Sequence, residues 1–171
     1  GYDLFGKAII KILNEFKDWK AIVIGDEQRE KIIFEHKRLI NLGYRSNEEV
    51  LRVYTKSSIA VACSRWEEPF GRSSLEASSR GCAVIISNRG GLPETVTDGI
   101  ILNKLTTSNI YENIKSLIKN KKKLRNIQIR SLKNFYLDNK FITKKIDNYR
   151  GSFFNKINVD IRKLRILHVT N

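Results

Sequence analysis

The chain has 171 residues, 41% of them hydrophobic and 29% charged, which is room for one sizeable globular domain and little more. Its apolar runs, such as Ile59 to Cys63, fall far short of the roughly 20 residues a membrane-spanning helix needs. Two cysteines are too few for a secreted disulfide scaffold, and no signal-peptide pattern opens the chain, so a cytoplasmic protein with free thiols is expected.

The chain opens on Gly1 and contains no methionine, as expected of a piece of a longer polypeptide. Its net charge of +14 is uneven. Residues 1–103 carry 15 Lys and Arg against 14 Asp and Glu, whereas residues 104–171 carry 17 against 4. A basic half suits a nucleic acid or an anionic membrane. Composition explains it equally well, because Ile, Lys and Asn make up 57 of the 171 residues. No basic stripe interleaved with aromatics accompanies the charge, so no nucleic-acid partner is expected. Peripheral contact with an anionic inner leaflet remains a secondary use of the basic half.

From Tyr2 to Phe16 the apolar residues fall at 4, 5, 8, 9, 12 and 16, the period of an amphipathic helix. Ala21 to Ile24, closed by Gly25, is a short apolar run that predicts a buried strand. Residues 27–36 predict a surface helix carrying His36, and Arg38 to Leu42 a second strand before Gly43. Ser46 followed by Glu49 is a capping box that starts a helix. Residues 59–63 and 83–86 are two further buried-strand runs with a helix between them. From 107 to about 149 the pattern is helical, with the Lys119 to Lys123 run as a solvated helix connection. Leu164 to Val169 predicts a last strand containing His168. Strands alternating with helices require crossovers and a parallel sheet.

The chemistry concentrates in Glu67-Glu68-Pro69-Phe70-Gly71-Arg72-Ser73-Ser74-Leu75-Glu76-Ala77, which follows the strand at 59–63. Parallel sheets bind ligands beyond the carboxyl ends of their strands. Pro69 biases Glu68 away from helical geometry, so its carboxylate sits on an extended loop. Gly71 permits close approach to the backbone. Arg72 and Ser73 then offer first-turn N–H groups, which together with the helix dipole suit a phosphate. Glu76 lies one turn beyond Arg72, where a carboxylate accepts ribose hydroxyls. A second loop, Asn88 to Glu94 with Gly90-Gly91 and Pro93, follows the strand at 83–86 and opens another helix. Both loops are expected on one edge of the sheet. Trp66 is expected to pack, with stacking on a sugar as the alternative; Glu67 has no assigned role. Cys63 and Cys82 fill small buried spaces. No cluster has metal-ligand spacing.

These residues together resemble the retaining glycosyltransferases of the GT-B fold, the glycosyl transferases group 1 family. The family pattern E-P-F-G-x-x-x-L-E-A stands complete from Glu68 to Ala77. Arg80-Gly81-Cys82-Ala83-Val84 and Gly90 to Glu94 resemble the elements that follow it, Leu42 to Val50 the nucleobase-side loop, and Val23-Ile24-Gly25-Asp26 the preceding strand and turn. The resemblance runs from Gly1 to about Tyr149. It implies an α/β fold, a Rossmann-like parallel sheet with helices on both faces, forming the C-terminal, donor-binding half of a two-domain enzyme.

By the same resemblance, Glu68 acts at the reacting sugar. Phe70, Gly71, Arg72 and Ser73 hold the sugar and diphosphate largely through backbone, Glu76 holds the ribose, Tyr44 and Arg45 border the base, and Leu75 and Gly25 belong to the donor-binding set. The substrate is a nucleotide sugar, with no metal and no cofactor beyond it, and the acceptor is a glycan or a lipid-linked glycan held by an N-terminal domain. The family's Arg and Lys for the diphosphate would precede Gly1, and Asn-Gly is usual where Gly99-Ile100-Ile101 stands. The 171 residues alone are therefore expected to be inactive as a transferase. The domain is expected to span 1–155, with 156–171 as a linker and the first strand of a following domain. The other readings are a basic module for nucleic acid or anionic membrane, and a non-transferase relative such as a sugar-nucleotide epimerase.

Overall fold

The computed structural model describes residues 1–25 and 34–157, without side-chain detail for 154–157. It divides into two units, Gly1–Phe135 and a second from Tyr136 onward.

The first unit opens with α1 (Tyr2–Glu15), whose apolar stripe Ala8, Ile9, Ile12 and Leu13 is buried. It is followed by β1 (Ala21–Val23), β2 (Leu39–Asn41), α2 (Asn47–Thr55), β3 (Ile59–Ala62), α3 (Arg72–Ser79), β4 (Ala83–Ser87), β5 (Gly99–Leu102), α4 (Thr107–Lys119) and α5 (Lys121–Asn134). The capping box at Ser46 and Glu49 is present in both directions. Asn120 ends α4 and caps α5, its side chain accepting the Lys123 N–H at 2.9 Å, which explains why the lysine run breaks into two helices. The expected helix over 27–36 lies largely outside the described residues. His36 itself is in a turn before β2, its Nδ1 accepting the Arg38 N–H at 3.1 Å, so it is not helical.

Every strand pairing is parallel. β4 is the centre, with all five residues buried. Its alternate side chains feed two cores. Ala83 and Ile85 pack with α1 and with Ile110, Ile114 and Leu117 of α4. Val84 and Ile86 pack on the other side with Ala77 of α3, Cys82 and Leu92. Helices therefore cover both faces of β4. Burial pushes the Cys82 thiol up to about 11, which fits a cysteine used as a small apolar filler.

Four departures from the sequence reading occur here. Among the described residues the strands form two sheets, β1-β2 and β3-β4-β5, in place of one. A cavity of about 600 Å³ runs between β1 and β3. With that edge open, β3 is half-buried along its length where a buried strand was expected. β5 had no strand prediction; it pairs Gly99 with Val84 and Leu102 with Ser87. The helix expected after Gly91 is a single 3-10 turn, Leu92–Thr95, because the chain must extend at Val96 to enter β5.

The turn before β5 is tied to α5. Asp98, with its side chain 6% exposed, accepts from Arg130 at 2.6 Å and from the Asn134 amide at 2.7 Å, and its carbonyl accepts the Ser131 hydroxyl at 2.7 Å. Asp98→Ala is expected to destabilise the unit by about 1.5–3 kcal/mol, the usual worth of hydrogen bonds to a buried charge. A lowered urea midpoint with unchanged slope is the expected reading; an unchanged midpoint sinks this assignment.

The second unit is α6 (Asn139–Ile157), preceded by an edge-to-face contact of Tyr136 with Phe141 at 4.9 Å. The strand expected at 164–169 and His168 fall outside the described residues, as does the linker expected from 156, except that its first two residues still belong to α6. No described helix is long and apolar enough to cross a membrane.

Candidate donor site at the start of the third helix

The loops after β3 and β4 lie against each other, as expected from their shared strand direction. The Ser87 hydroxyl donates to the Ser64 carbonyl at 2.8 Å and accepts the Ser64 N–H at 3.0 Å, joining the ends of the two strands. Further out, the Gly91 N–H donates to the Glu68 carbonyl at 2.7 Å. The fit is tight: a Cβ on Gly90 would lie 2.3 Å from the Glu68 carbonyl oxygen, and one on Gly91 2.7 Å from that of Pro69.

Glu67, for which the sequence suggested no role, is the clamp. Its carboxylate accepts the Gly90 N–H at 2.6 Å and the Arg89 guanidinium at 2.8 Å. Those two donors, Arg89 foremost, hold its carboxyl below the ordinary range. The packing expected of Trp66 is not found. Ser64 bonds both the N–H and the C=O of Trp66, at 3.1 and 3.0 Å, which fixes the backbone and leaves the residue 72% exposed.

Gly71 caps α3 at φ +85°, a left-handed conformation that glycine adopts without strain. A Cβ there would come within 2.6 Å of Leu92. The Ser74 hydroxyl lies 2.8 Å from the Gly71 carbonyl and 2.6 Å from the Thr95 hydroxyl, which lies 2.7 Å from the Leu92 carbonyl; one hydroxyl donates to the other, which in turn donates to its own carbonyl. This buried chain of hydroxyls fixes the first turn of α3 on the loop after β4. The Leu75 N–H closes the turn onto the Gly71 carbonyl at 3.3 Å. No hydrogen bond among the described residues uses the N–H of Arg72 or Ser73, so the dipole end of α3 offers both to a ligand.

Glu68 is half-buried and, with Gly71 and Ser73, lines the cavity between β1 and β3. The Glu76 side chain is 19% exposed and accepts Arg72 at 3.1 Å, as the spacing of four predicts. The same oxygen, Oε1, accepts the Asn47 amide at 2.9 Å. Asn47 was not singled out from sequence; only the meeting of α2 and α3 reveals it. Phe70 is 46% exposed beside this turn.

Two of the base-side candidates, Tyr44 and Arg45, shortly precede Asn47 in sequence. Tyr44 is exposed, Arg45 donates to the Tyr44 carbonyl at 2.7 Å and pairs loosely with Glu49 at 3.9 Å. The Gly25 N–H donates to the Gly43 carbonyl at 3.0 Å, joining the ends of β1 and β2. No hydrogen bond among the described residues joins Gly25, Tyr44 or Arg45 to the turn of α3. No group of three or more His, Cys, Asp or Glu that could hold a metal occurs among the described residues.

Residues 1–134 match the family described as glycosyl transferases group 1. The C-terminal domain of a glycosyl transferase group 1 family protein, LpcC, from Francisella tularensis is 28% identical, with a TM-score of 0.66 over 78% of this chain and 76% of that one. The lipopolysaccharide core biosynthesis mannosyltransferase LpcC of Rhizobium leguminosarum bv. viciae is 31% identical over 111 residues, 58% of this chain and 31% of that protein. The fold is also that of Anabaena Alr3699/HepE, solved in complex with UDP-glucose, at 22% identity and a TM-score of 0.62 over 78% of this chain and 41% of that one. The chain spans between 14% and 31% of the curated relatives it matches. With its complete Glu68–Glu76 motif running from the loop after β3 into α3, the chain belongs to the glycosyl transferases group 1 family and has the α/β fold of a GT-B C-terminal domain.

Proposed function

We propose that this chain is the donor-binding domain of a retaining glycosyltransferase, which moves a hexose from a nucleoside-diphosphate sugar to a glycan or lipid-linked acceptor. One observation carries the reading. The unused N–H groups of Arg72 and Ser73 stand at the dipole end of α3, with Glu68 before them on the cavity and Glu76 one turn after. A sugar, a diphosphate and a ribose are met in that order by carboxylate, helix end and carboxylate.

In this reading Glu68 binds donor-sugar hydroxyls beside the reacting carbon. The Arg72 and Ser73 N–H groups take the diphosphate, with Phe70, Gly71 and Leu75 shaping the turn. Glu76 takes the ribose hydroxyls. Tyr44, Arg45 and Gly25 border the base. Charge developing on the leaving diphosphate meets the helix end and the Arg72 guanidinium, so the proposal contains no metal and no cofactor. Retention of anomeric configuration comes from the family resemblance. The names of the relatives, a mannosyltransferase and a UDP-glucose complex, support a nucleotide-sugar donor and a role in polysaccharide assembly. A cytoplasmic place, with the basic half against an anionic inner leaflet, belongs to the same proposal, as does a domain ending near residue 155.

Calorimetry of the purified chain with UDP, GDP, ADP and CDP and their sugars tests this. Binding of one nucleoside diphosphate, without sugar transfer, is the expected result, since transfer needs an acceptor held beside the donor. Salt-sensitive binding to RNA or anionic vesicles by a chain that binds no nucleotide overturns the donor-site reading in favour of a basic module. Product analysis of the whole protein separates a transferase from an epimerase.

A further inference from the structure

α2 touches the donor turn at two places. Its first residue, Asn47, donates from its side-chain amide to Glu76 Oε1 at 2.9 Å. Seven residues on, two turns along the same face, Tyr54 packs near Ser73, its phenol pushed above the ordinary range by burial first and by the Glu76 charge second. The backbone that carries Asn47 is held by the capping box: the Glu49 carboxylate accepts the Ser46 N–H at 2.9 Å and its hydroxyl at 2.8 Å, and the Ser46 hydroxyl accepts the Glu49 N–H at 3.4 Å. Asn47 therefore leaves a fixed first turn and meets a fixed helix.

The two donors to Glu76 choose the same oxygen. Arg72 reaches Oε1 at 3.1 Å, beside the Asn47 amide, while Oε2 has no partner among the described residues. The Arg72 side chain is 74% exposed and stands at the helix end where a diphosphate would draw it away. Asn47 is the donor that would stay. Being neutral, it orients the carboxylate without cancelling its charge, which a lysine at that place would do. An orienting amide on one oxygen and a bare second oxygen are what a carboxylate needs to accept a ligand hydroxyl in one defined direction.

We propose that Asn47 is a positioning residue for the nucleotide: it turns Glu76 so that Oε2 receives a ribose hydroxyl. This rests on the donor-site reading of Glu76. The test uses the purified chain, a panel of UDP, GDP, ADP and CDP, and the variants Asn47→Ala, Asn47→Asp, Glu76→Ala and the Asn47→Ala/Glu76→Ala pair. Asn47→Ala is expected to weaken binding of the accepted nucleotide roughly five- to twentyfold, less than the full loss of a hydrogen bond to a charged group because the Glu76 carboxylate itself remains, with little change in thermal midpoint. Added to Glu76→Ala it is expected to cost nothing more, because its effect passes through that carboxylate. Asn47→Asp places two carboxyls together. Its binding, relative to the parent at each pH, is expected to be weak at pH 8 and to recover towards pH 5, as a shared proton restores a donor to Oε1.

Parent-like affinity in Asn47→Ala overturns the proposal, and so does an equal loss in the Glu76→Ala background or an Asn47→Asp ratio that ignores pH. A parent chain that binds none of UDP, GDP, ADP and CDP fails earlier: it removes the donor-site reading itself, and this proposal with it.

Discussion

Replacing Glu68 with alanine in the whole transferase is expected to lower kcat by about 100-fold or more, while nucleotide affinity stays within about threefold. Glu76→Ala is expected to do the reverse. Its loss of nucleotide affinity should be roughly 10- to 150-fold, the equivalent of about 1.5–3 kcal/mol for a charged hydrogen-bond partner. The asymmetry comes from position. Glu68 is half-buried on the cavity, and its backbone carbonyl is already bound by Gly91, so the loop survives the loss of its side chain. In the proposed donor site its carboxylate stands where charge would develop at the reacting carbon, an interaction that strengthens only in the transition state. Glu76 lies one turn into α3 and, in the proposed donor site, would meet a part of the donor that does not react. Removing it also frees Arg72, whose side chain is 74% exposed, so the pair contributes little by itself. Equal losses of kcat and of affinity in both variants count against separate roles for the two carboxylates.

The second large effect concerns the loop after β4. Gly90→Ala is expected to destabilise the first unit by about 2–3 kcal/mol, a thermal shift of roughly 6–15 °C for a domain of this size. Gly90 sits at φ +51°, and a Cβ would lie 2.3 Å from the Glu68 carbonyl oxygen and 2.6 Å from its backbone nitrogen. Those are backbone atoms, so the clash is not relieved by turning a side chain. The shift must break the Gly90 bond to Glu67 or the Gly91 bond to Glu68, and either moves Glu68. Gly43→Ala is the control. Gly43 has a similar φ of +63° but nothing within 4 Å of its Cβ position, so only conformational strain, about 1 kcal/mol, is expected. If the two variants melt together, the contact between the loops is not what holds Glu68 in place.

Much of this molecule is written locally. The periodic apolar residues of α1, the reciprocal cap of Ser46 and Glu49, the all-buried β4 and the left-handed Gly71 each follow from a few neighbouring residues. Because those patterns decide backbone geometry within one or two turns, the sequence alone determines the family motif's place after β3 and its entry into α3. What tertiary structure decided involves partners far apart in the chain. Glu67 finds Arg89 and Gly90, Asn47 finds Glu76, and Asp98 finds Arg130 and Asn134, and no local period signals such meetings. β5 was missed because Gly99 to Leu102 is too short for a period and becomes a strand by pairing with β4. Trp66 was misread for the complementary reason: its large apolar surface suggests burial, and only the two bonds from Ser64, with the clamp at Glu67 beside it, hold it out in solvent. Sequence sets which segments can be strand, helix or turn, since that is a short-range steric and hydrophobic choice; which side chains then complete a site depends on packing those segments, where a change of a few ångströms makes or breaks a hydrogen bond.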